Sequence, residues 1–134
     1  MTLLTLDGLI PMVTGITIER IAEEAFRGET RLLRGMVMAF LRENPHLHEI
    51  PRPQTNDNRI LAAAASLLEL FAERSGQSPP DWTQEIGPLP TPVYLVTGIG
   101  PATTESVRRL ADEKSPEPLR KRGFLAPPKY LTFV

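Results

Sequence analysis

The chain has 134 residues, of which 41% are hydrophobic and 23% are charged, and its formal net charge is −1. This length suits one domain with a hydrophobic core, and the composition excludes disorder over most of the chain. The near-neutral charge gives no global electrostatic argument for binding nucleic acid or an acidic membrane. Because the chain contains no cysteine, a thiolate zinc site and a cysteine nucleophile are excluded.

The N-terminal residues and the length of the apolar runs bear on the cellular location of the protein. The N-terminus has no basic lead followed by a long apolar stretch, so no signal peptide is predicted. The longest nearly apolar run covers residues 60–68, about half of the ~20 residues that span a bilayer. We therefore expect a cytoplasmic protein without a membrane anchor.

Three helices are predicted in residues 1–76. The first follows Thr17 and the second follows Thr30, and each hydroxyl is suited to an N-cap before apolar residues at helical spacing. The third begins after Asn56 or Asp57 and ends at Ser75 and Gly76. It is apolar around most of its girth and is therefore expected to lie centrally.

Charged and polar residues of these helices are expected on outer faces. Glu24 falls on the polar side of the first helix. The third helix has a narrow polar strip, whose members are Arg59, Ser66, Glu69 and Glu73. Side chains in such a strip usually point to solvent.

The second half of the chain has a different composition, since ten of the 14 prolines lie between Pro79 and Pro128. Residues 93–96 are a short apolar run that could form a strand, although no strand partner is evident. A helix is predicted from Pro101, and Ser115 and Pro116 resemble the N-cap and first residue of a short basic helix. Residues 124–134 are expected to be extended because two prolines prevent regular structure.

These elements predict a mainly α fold. A small helical domain of three N-terminal helices, plus one or two C-terminal helices, carries a proline-rich irregular C-terminal arm. Residues 1–76 form the helical core. Residues 77–134 contain the proline-rich segment, a helix near residues 101–114 and the extended arm, packed on the same domain.

A catalytic site is not predicted. The two histidines, His46 and His48, lie in one loop, where Glu49 is the sole nearby third ligand, whereas zinc normally has three or four. Adjacent carboxylates on a helix point about 100° apart, so neither acidic pair converges on a substrate. We therefore expect no enzyme activity, no cofactor and no bound metal.

Two other functions remain open from the sequence. Residues 97–104 combine an apolar run, a Gly-x-Gly turn and a helix start, which is how phosphate-binding turns are built, but the third glycine and a Walker lysine are absent. Residues 17–27 and 30–43 could form a DNA-binding helix pair that presents Arg31, Arg34 and Arg42. Several glutamates close to that pair would repel phosphate.

The C-terminal arm, residues 115–134, is the feature least explained by folding alone. From Val107 onward there are seven basic and three acidic residues, followed by three aromatic residues among the last eleven. Either these side chains cover the domain's own core, or they bind another chain. As a partner-binding set we predict the basic run, the apolar residues after it and one tryptophan: Arg120, Lys121, Arg122, Phe124, Leu125, Tyr130, Phe133 and Trp82.

Two segments, residues 61–82 and 115–125, resemble parts of small bacterial proteins described as antitoxins or regulators and encoded beside nucleotidyltransferase-like toxin genes. The shared features are an alanine- and leucine-rich helix followed by Pro-Pro-Asp-Trp, and a Ser-Pro segment followed by three basic residues. The resemblance implies a protein partner encoded nearby.

The leading hypothesis is therefore a non-catalytic protein-binding module that neutralises or scaffolds a partner through its central helix and C-terminal arm. The partner is a toxin-like enzyme or a second copy of the chain. A DNA-binding regulator is the first alternative, and a small phosphate- or nucleotide-binding protein is the second.

Overall fold

The computed structural model describes residues 15–27, 30–95, 105–128 and 130–131. These residues form five α-helices, two 3₁₀ turns and two short strands: α1 (Ile18–Arg27), α2 (Thr30–Glu43), the turn Leu47–Glu49, α3 (Asn58–Ser75), the turn Asp81–Glu85, β1 (Val93–Tyr94), α4 (Glu105–Lys114), α5 (Glu117–Arg120) and β2 (Phe124–Leu125). The predicted mainly α fold is confirmed. No helix of the described residues is long and apolar enough to cross a membrane.

The ends of the N-terminal helices follow from local hydrogen bonding. The hydroxyl of Thr17 accepts from the Arg20 amide at 3.2 Å, and a carboxylate oxygen of Asp57 accepts from two amides of the first turn of α3. Gly76 ends α3 with a φ of +69°, a conformation that glycine adopts without steric cost. These caps confirm three predicted helix boundaries. The structure begins α2 at Thr30 itself, and the residues directly before it lie outside the described residues.

The third helix is the centre of the domain, as its composition predicted. Every residue of α3 from Leu61 to Ala72 is buried. The elements packed against it are α1, the turn Asp81–Glu85 and α5. Ala62 to Ala65 are at most 1% exposed, and their small side chains let neighbouring elements approach closely.

Three polar side chains were predicted on outer faces and are buried instead. Ser66 is 0% exposed, Glu69 is 8% exposed and Glu24 is 3% exposed. Glu24 forms an ion pair with Arg27 at 2.9 Å. The prediction was wrong because it assumed that one face of each helix meets solvent, whereas neighbouring elements surround most of α3.

The partner of β1 lies in the C-terminal arm. Val93 pairs with Phe124 and Tyr94 with Leu125 in a parallel ladder. Phe124 within the ladder is buried, as are Ala126 and Tyr130 after it. Of the two alternatives for the arm, the described part therefore packs on its own domain.

Ser115 does not cap α5, contrary to the sequence prediction. Its hydroxyl donates to the carbonyl of Ala111 and accepts from the Ala126 amide at 2.9 Å. The N-cap of α5 is Pro116, which was expected one position later in the helix. The Ser115 hydroxyl thus fastens the end of α4 to the chain that follows β2.

Candidate functional site

The predicted partner-binding residues divide into a buried set and an exposed set. Arg122 is 3% exposed, whereas Arg120 and Lys121 are exposed. Because these residues follow one another through the end of α5, their side chains point in different directions. The basic run is therefore not one continuous surface.

Arg122 is the centre of a buried ionic cluster. Its guanidinium forms two bonds to the carboxylate of Glu69, at 2.7 and 3.1 Å, and it donates to the carbonyls of Thr83 and Ile86 at 2.5 and 3.0 Å. The ammonium of Lys121 lies 2.8 Å from the same carboxylate. We call these five residues the Glu69 clasp. It joins α3, the turn Asp81–Glu85 and the C-terminal arm.

The electrostatics of the Glu69 clasp favour the charged carboxylate. Burial alone would raise the pKa of Glu69, but the hydrogen bonds from Arg122 and Lys121 outweigh this effect and lower the pKa below 4.5. Bidentate geometry and additional carbonyl acceptors are what a buried arginine needs to offset its lost hydration. The cluster is thus a structural cross-link, in which the guanidinium of Arg122 is already bonded within the domain.

The predicted aromatic anchors are also part of the core. Phe124 is 0% exposed, and its ring centroid lies 6.1 Å from that of Phe26. Tyr130 is 4% exposed, and its hydroxyl has no hydrogen-bond partner among the described residues. Burial raises the pKa of Tyr130 well above its ordinary value. In this arrangement the two rings belong to the core, and inserting them into a partner would require the core to open.

The remaining predicted site residues have separate positions. Trp82 is half-buried, and its indole N–H donates to the carbonyl of Ile50 at 2.8 Å. Leu125 is half-buried beside β1. Phe133 lies outside the described residues, as does the turn at residues 97–104 that was weighed as a phosphate site.

A second cluster lies on the surface, between β1 and the two C-terminal helices. The hydroxyl of Tyr94 donates to a carboxylate oxygen of Asp112 at 2.5 Å, and the Arg108 guanidinium lies 5.2 Å from the Tyr94 ring centroid. Arg120 donates to the main-chain carbonyl of Asp112 at 2.8 Å. We call these four residues the Tyr94 cluster. Hydrogen bonding to Asp112 raises the pKa of Tyr94.

The Tyr94 cluster has the chemistry of a protein-binding surface. Tyr94 is 39% exposed, and tyrosine and arginine are the residue types that contribute most to protein interfaces. Among the described residues, neither Arg108 nor Arg120 forms an ion pair with a carboxylate. Two guanidinium groups and one carboxylate leave the cluster with a charge of +1. Its cations can therefore bind an incoming carboxylate.

Three of these four residues were missed by the sequence analysis. The spacing of Arg108 and Asp112 by four residues on a helix was a usable signal, because such residues share one face. The position of Tyr94 between Val93 and Leu95 was a second signal, because alternate strand residues point to opposite faces. The contact between these two elements could not be foreseen without the pairing of β1 with β2.

The two histidines and the exposed side of α2 lie on other parts of the surface. His46 and His48 are exposed, with ring centroids 6.2 Å apart. Within residues 15–27, 30–95, 105–128 and 130–131, no group of three histidine or carboxylate side chains has the geometry to hold a metal ion. The exposed side of α2, weighed as a DNA-reading face, contains Leu32 and Met38, which are 48% and 50% exposed.

Comparisons with known protein families, with curated proteins and with solved structures found no significant match.

Proposed function

We propose that this chain is a non-catalytic, cytoplasmic protein-binding module that docks onto a partner protein through the Tyr94 cluster. The observation that supports this most is the exposed Tyr94, which is bonded to Asp112 and lies beside Arg108, while Arg120 binds the main chain of Asp112. Within the described residues, neither arginine has a carboxylate partner. Following the sequence resemblance, we further propose an antitoxin-like role. The chain would cover the active surface of a toxin-like enzyme encoded nearby.

The charge pattern around the cluster favours a protein over a nucleic acid. Asp112 is the carboxylate of the cluster, and the exposed residues next to it along the chain have both signs of charge: Arg109, Glu113, Lys114 and Glu117. A phosphate backbone presents only negative charge, so it has no donor to place opposite Asp112. A protein surface can place carboxylates opposite the arginines and donors opposite Asp112.

The mechanism differs from the one expected from the sequence. The central helix α3 is buried from Leu61 to Ala72, so it supports the binding surface without contacting the partner. The Glu69 clasp holds the arm in place. Binding then falls to the exposed side chains of β1, α4 and α5.

The test is affinity purification of the full chain from cells that also express its neighbouring genes. The chain should retain a protein in near-equal amount. The double variant Arg108→Glu/Arg120→Glu should lose at least about 90% of it, because charge reversal at an interface costs several kcal/mol. Arg20→Glu, an exposed arginine on α1, is the matched control and should retain the partner.

Two outcomes would contradict the proposal. One is that no protein is retained in stoichiometric amount. The other is that the double variant, with the wild-type helical content by circular dichroism, retains as much partner as Arg20→Glu does.

A further inference from the structure

Within the part of the chain that the structure describes, the strand β1 is paired along one edge only. The amides of Val93 and Leu95 donate to carbonyls of the C-terminal arm, each at 2.8 Å. Because successive peptide groups of a strand face opposite edges, the N–H and C=O of Tyr94 face away from β2. Within the described residues, β1 pairs with no strand other than β2.

On this outer edge, the positions before Tyr94 are prolines and have no N–H to donate. Leu89 donates its amide to the carbonyl of Arg122 at 3.1 Å, so the chain already runs beside the arm there. The alternate positions are proline: Pro88, Pro90 and Pro92 are all exposed. Proline has no N–H to offer and is a common means of preventing strand addition at an edge. Tyr94 is therefore the first alternate position that presents an N–H outward.

The charged side chains near Tyr94 favour a pairing segment of one charge. Arg108 lies over the Tyr94 ring, and Arg120 is held beside Asp112. An extended segment that paired with the main chain of Tyr94 would place its side chains near these guanidinium groups. Carboxylates in that segment would form charge-assisted hydrogen bonds, whereas basic side chains would be repelled.

We propose that the partner contributes an acidic, extended segment that pairs with the main chain of Tyr94 at the outer edge of β1. This deepens the proposed function and rests on it. Main-chain hydrogen bonds would provide affinity, and the two arginines would provide selectivity for acidic side chains. The three prolines restrict the pairing to one end of the strand.

The test uses a defined probe and the full chain. A labelled peptide of about eight residues, alternating glutamate and valine, is titrated by fluorescence anisotropy, and a lysine–valine peptide is the control. We expect at least about tenfold tighter binding of the acidic peptide, with affinity falling as salt is added. Equal binding of the two peptides would overturn the charge selectivity. Tighter binding of a single-stranded oligonucleotide would overturn the choice of a protein segment.

Two substitutions separate the main chain from the side chain. Tyr94→Ala removes the ring but keeps the N–H, whereas Tyr94→Pro removes both. The inward amides of Val93 and Leu95 remain in both variants. We expect Tyr94→Pro to bind the acidic peptide at least about tenfold more weakly than Tyr94→Ala. Equal affinities would contradict strand addition.

Amide exchange in the wild-type chain provides a measurement that does not depend on the folding of the proline variant. Saturating acidic peptide should slow exchange of the Tyr94 amide at least about tenfold, and an unchanged rate would overturn the proposal. This result is distinct from failure of the proposed function. A partner that is retained and lost on Arg108→Glu/Arg120→Glu, without protection of the Tyr94 amide, would refute only the strand pairing.

Discussion

Arg120 and Arg122 are two residues apart in the same basic run, yet they belong to different regions of the molecule. Arg122 is inside the Glu69 clasp, 3% exposed and bonded to four acceptor atoms. Arg120 lies on the surface in the Tyr94 cluster and makes one hydrogen bond to a main-chain carbonyl. The difference shows that one basic stretch can contain both a buried structural cross-link and an exposed arginine. The buried arginine is part of the cross-link, and the exposed arginine is accessible to solvent.

The two regions should respond differently to mutation. Removing one partner of a buried ion pair leaves an uncompensated charge, which costs about 3–5 kcal/mol. An exposed arginine contributes about 0–1 kcal/mol to stability. Changes in the Glu69 clasp should therefore affect folding, and changes in the Tyr94 cluster should affect binding.

The largest expected effect comes from truncation after Gly123. This deletion removes Phe124, Ala126 and Tyr130, which are at most 4% exposed. Loss of one large buried aromatic side chain costs about 3–5 kcal/mol, and total stability is typically about 5–15 kcal/mol. The truncated chain should therefore lose its cooperative urea transition. A truncated chain that keeps that transition would show that the arm is dispensable for folding.

A smaller but still large effect is expected from Glu69→Leu. The substitution leaves the buried Arg122 guanidinium without its carboxylate, and unfolding in urea should show a loss of about 3–5 kcal/mol. The double variant Glu69→Leu/Arg122→Met places apolar groups of similar size on both sides and should recover part of that loss, although the carbonyls of Thr83 and Ile86 lose their donor. If both variants are equally destabilised, the pair does not act as a unit.

The pH dependence gives a third and smaller effect. The pKa of Glu69 is lowered below 4.5 in the folded state, so the clasp contributes its full stability above the unfolded-state pKa. That contribution is lost as pH falls through the folded-state pKa. Urea midpoints measured from pH 7 to pH 3 should fall more steeply for the wild type than for Glu69→Leu/Arg122→Met. Parallel curves would show that Glu69 has no lowered pKa.

The smallest effect on stability is expected from Tyr130→Phe. The buried hydroxyl has no hydrogen-bond partner among the described residues, and burying such a group costs free energy. Its removal should leave the free energy of unfolding unchanged or raise it by up to about 1 kcal/mol. A loss of more than about 1 kcal/mol in thermal or urea unfolding would show that this hydroxyl has a partner.

The local features of the fold were predictable from the sequence, and the long-range features were not. Thr17, Asp57 and Gly76 act within a few residues of their own position, so their patterns were sufficient. Glu69 and Arg122 are 53 positions apart, and helical periodicity alone places Glu69 on a solvent face.

The same limit applies to the Tyr94 cluster. The partner of Val93 is Phe124. Because two helices separate them in the sequence, the strand that pairs with the short apolar run could not be predicted. Once β1 is paired, Tyr94 faces α4 and the cluster follows from geometry. From composition alone, the aromatic residues of the arm were predicted as partner-binding residues. Composition does not distinguish a side chain that binds a partner from a side chain of the core.

The most direct test of the division between the two regions is urea unfolding of Arg120→Gln beside Arg122→Gln. The two substitutions make the same chemical change two positions apart. We predict a loss of at least about 3 kcal/mol for Arg122→Gln and of less than about 0.5 kcal/mol for Arg120→Gln. Equal losses, or a larger loss for Arg120→Gln, would contradict the division.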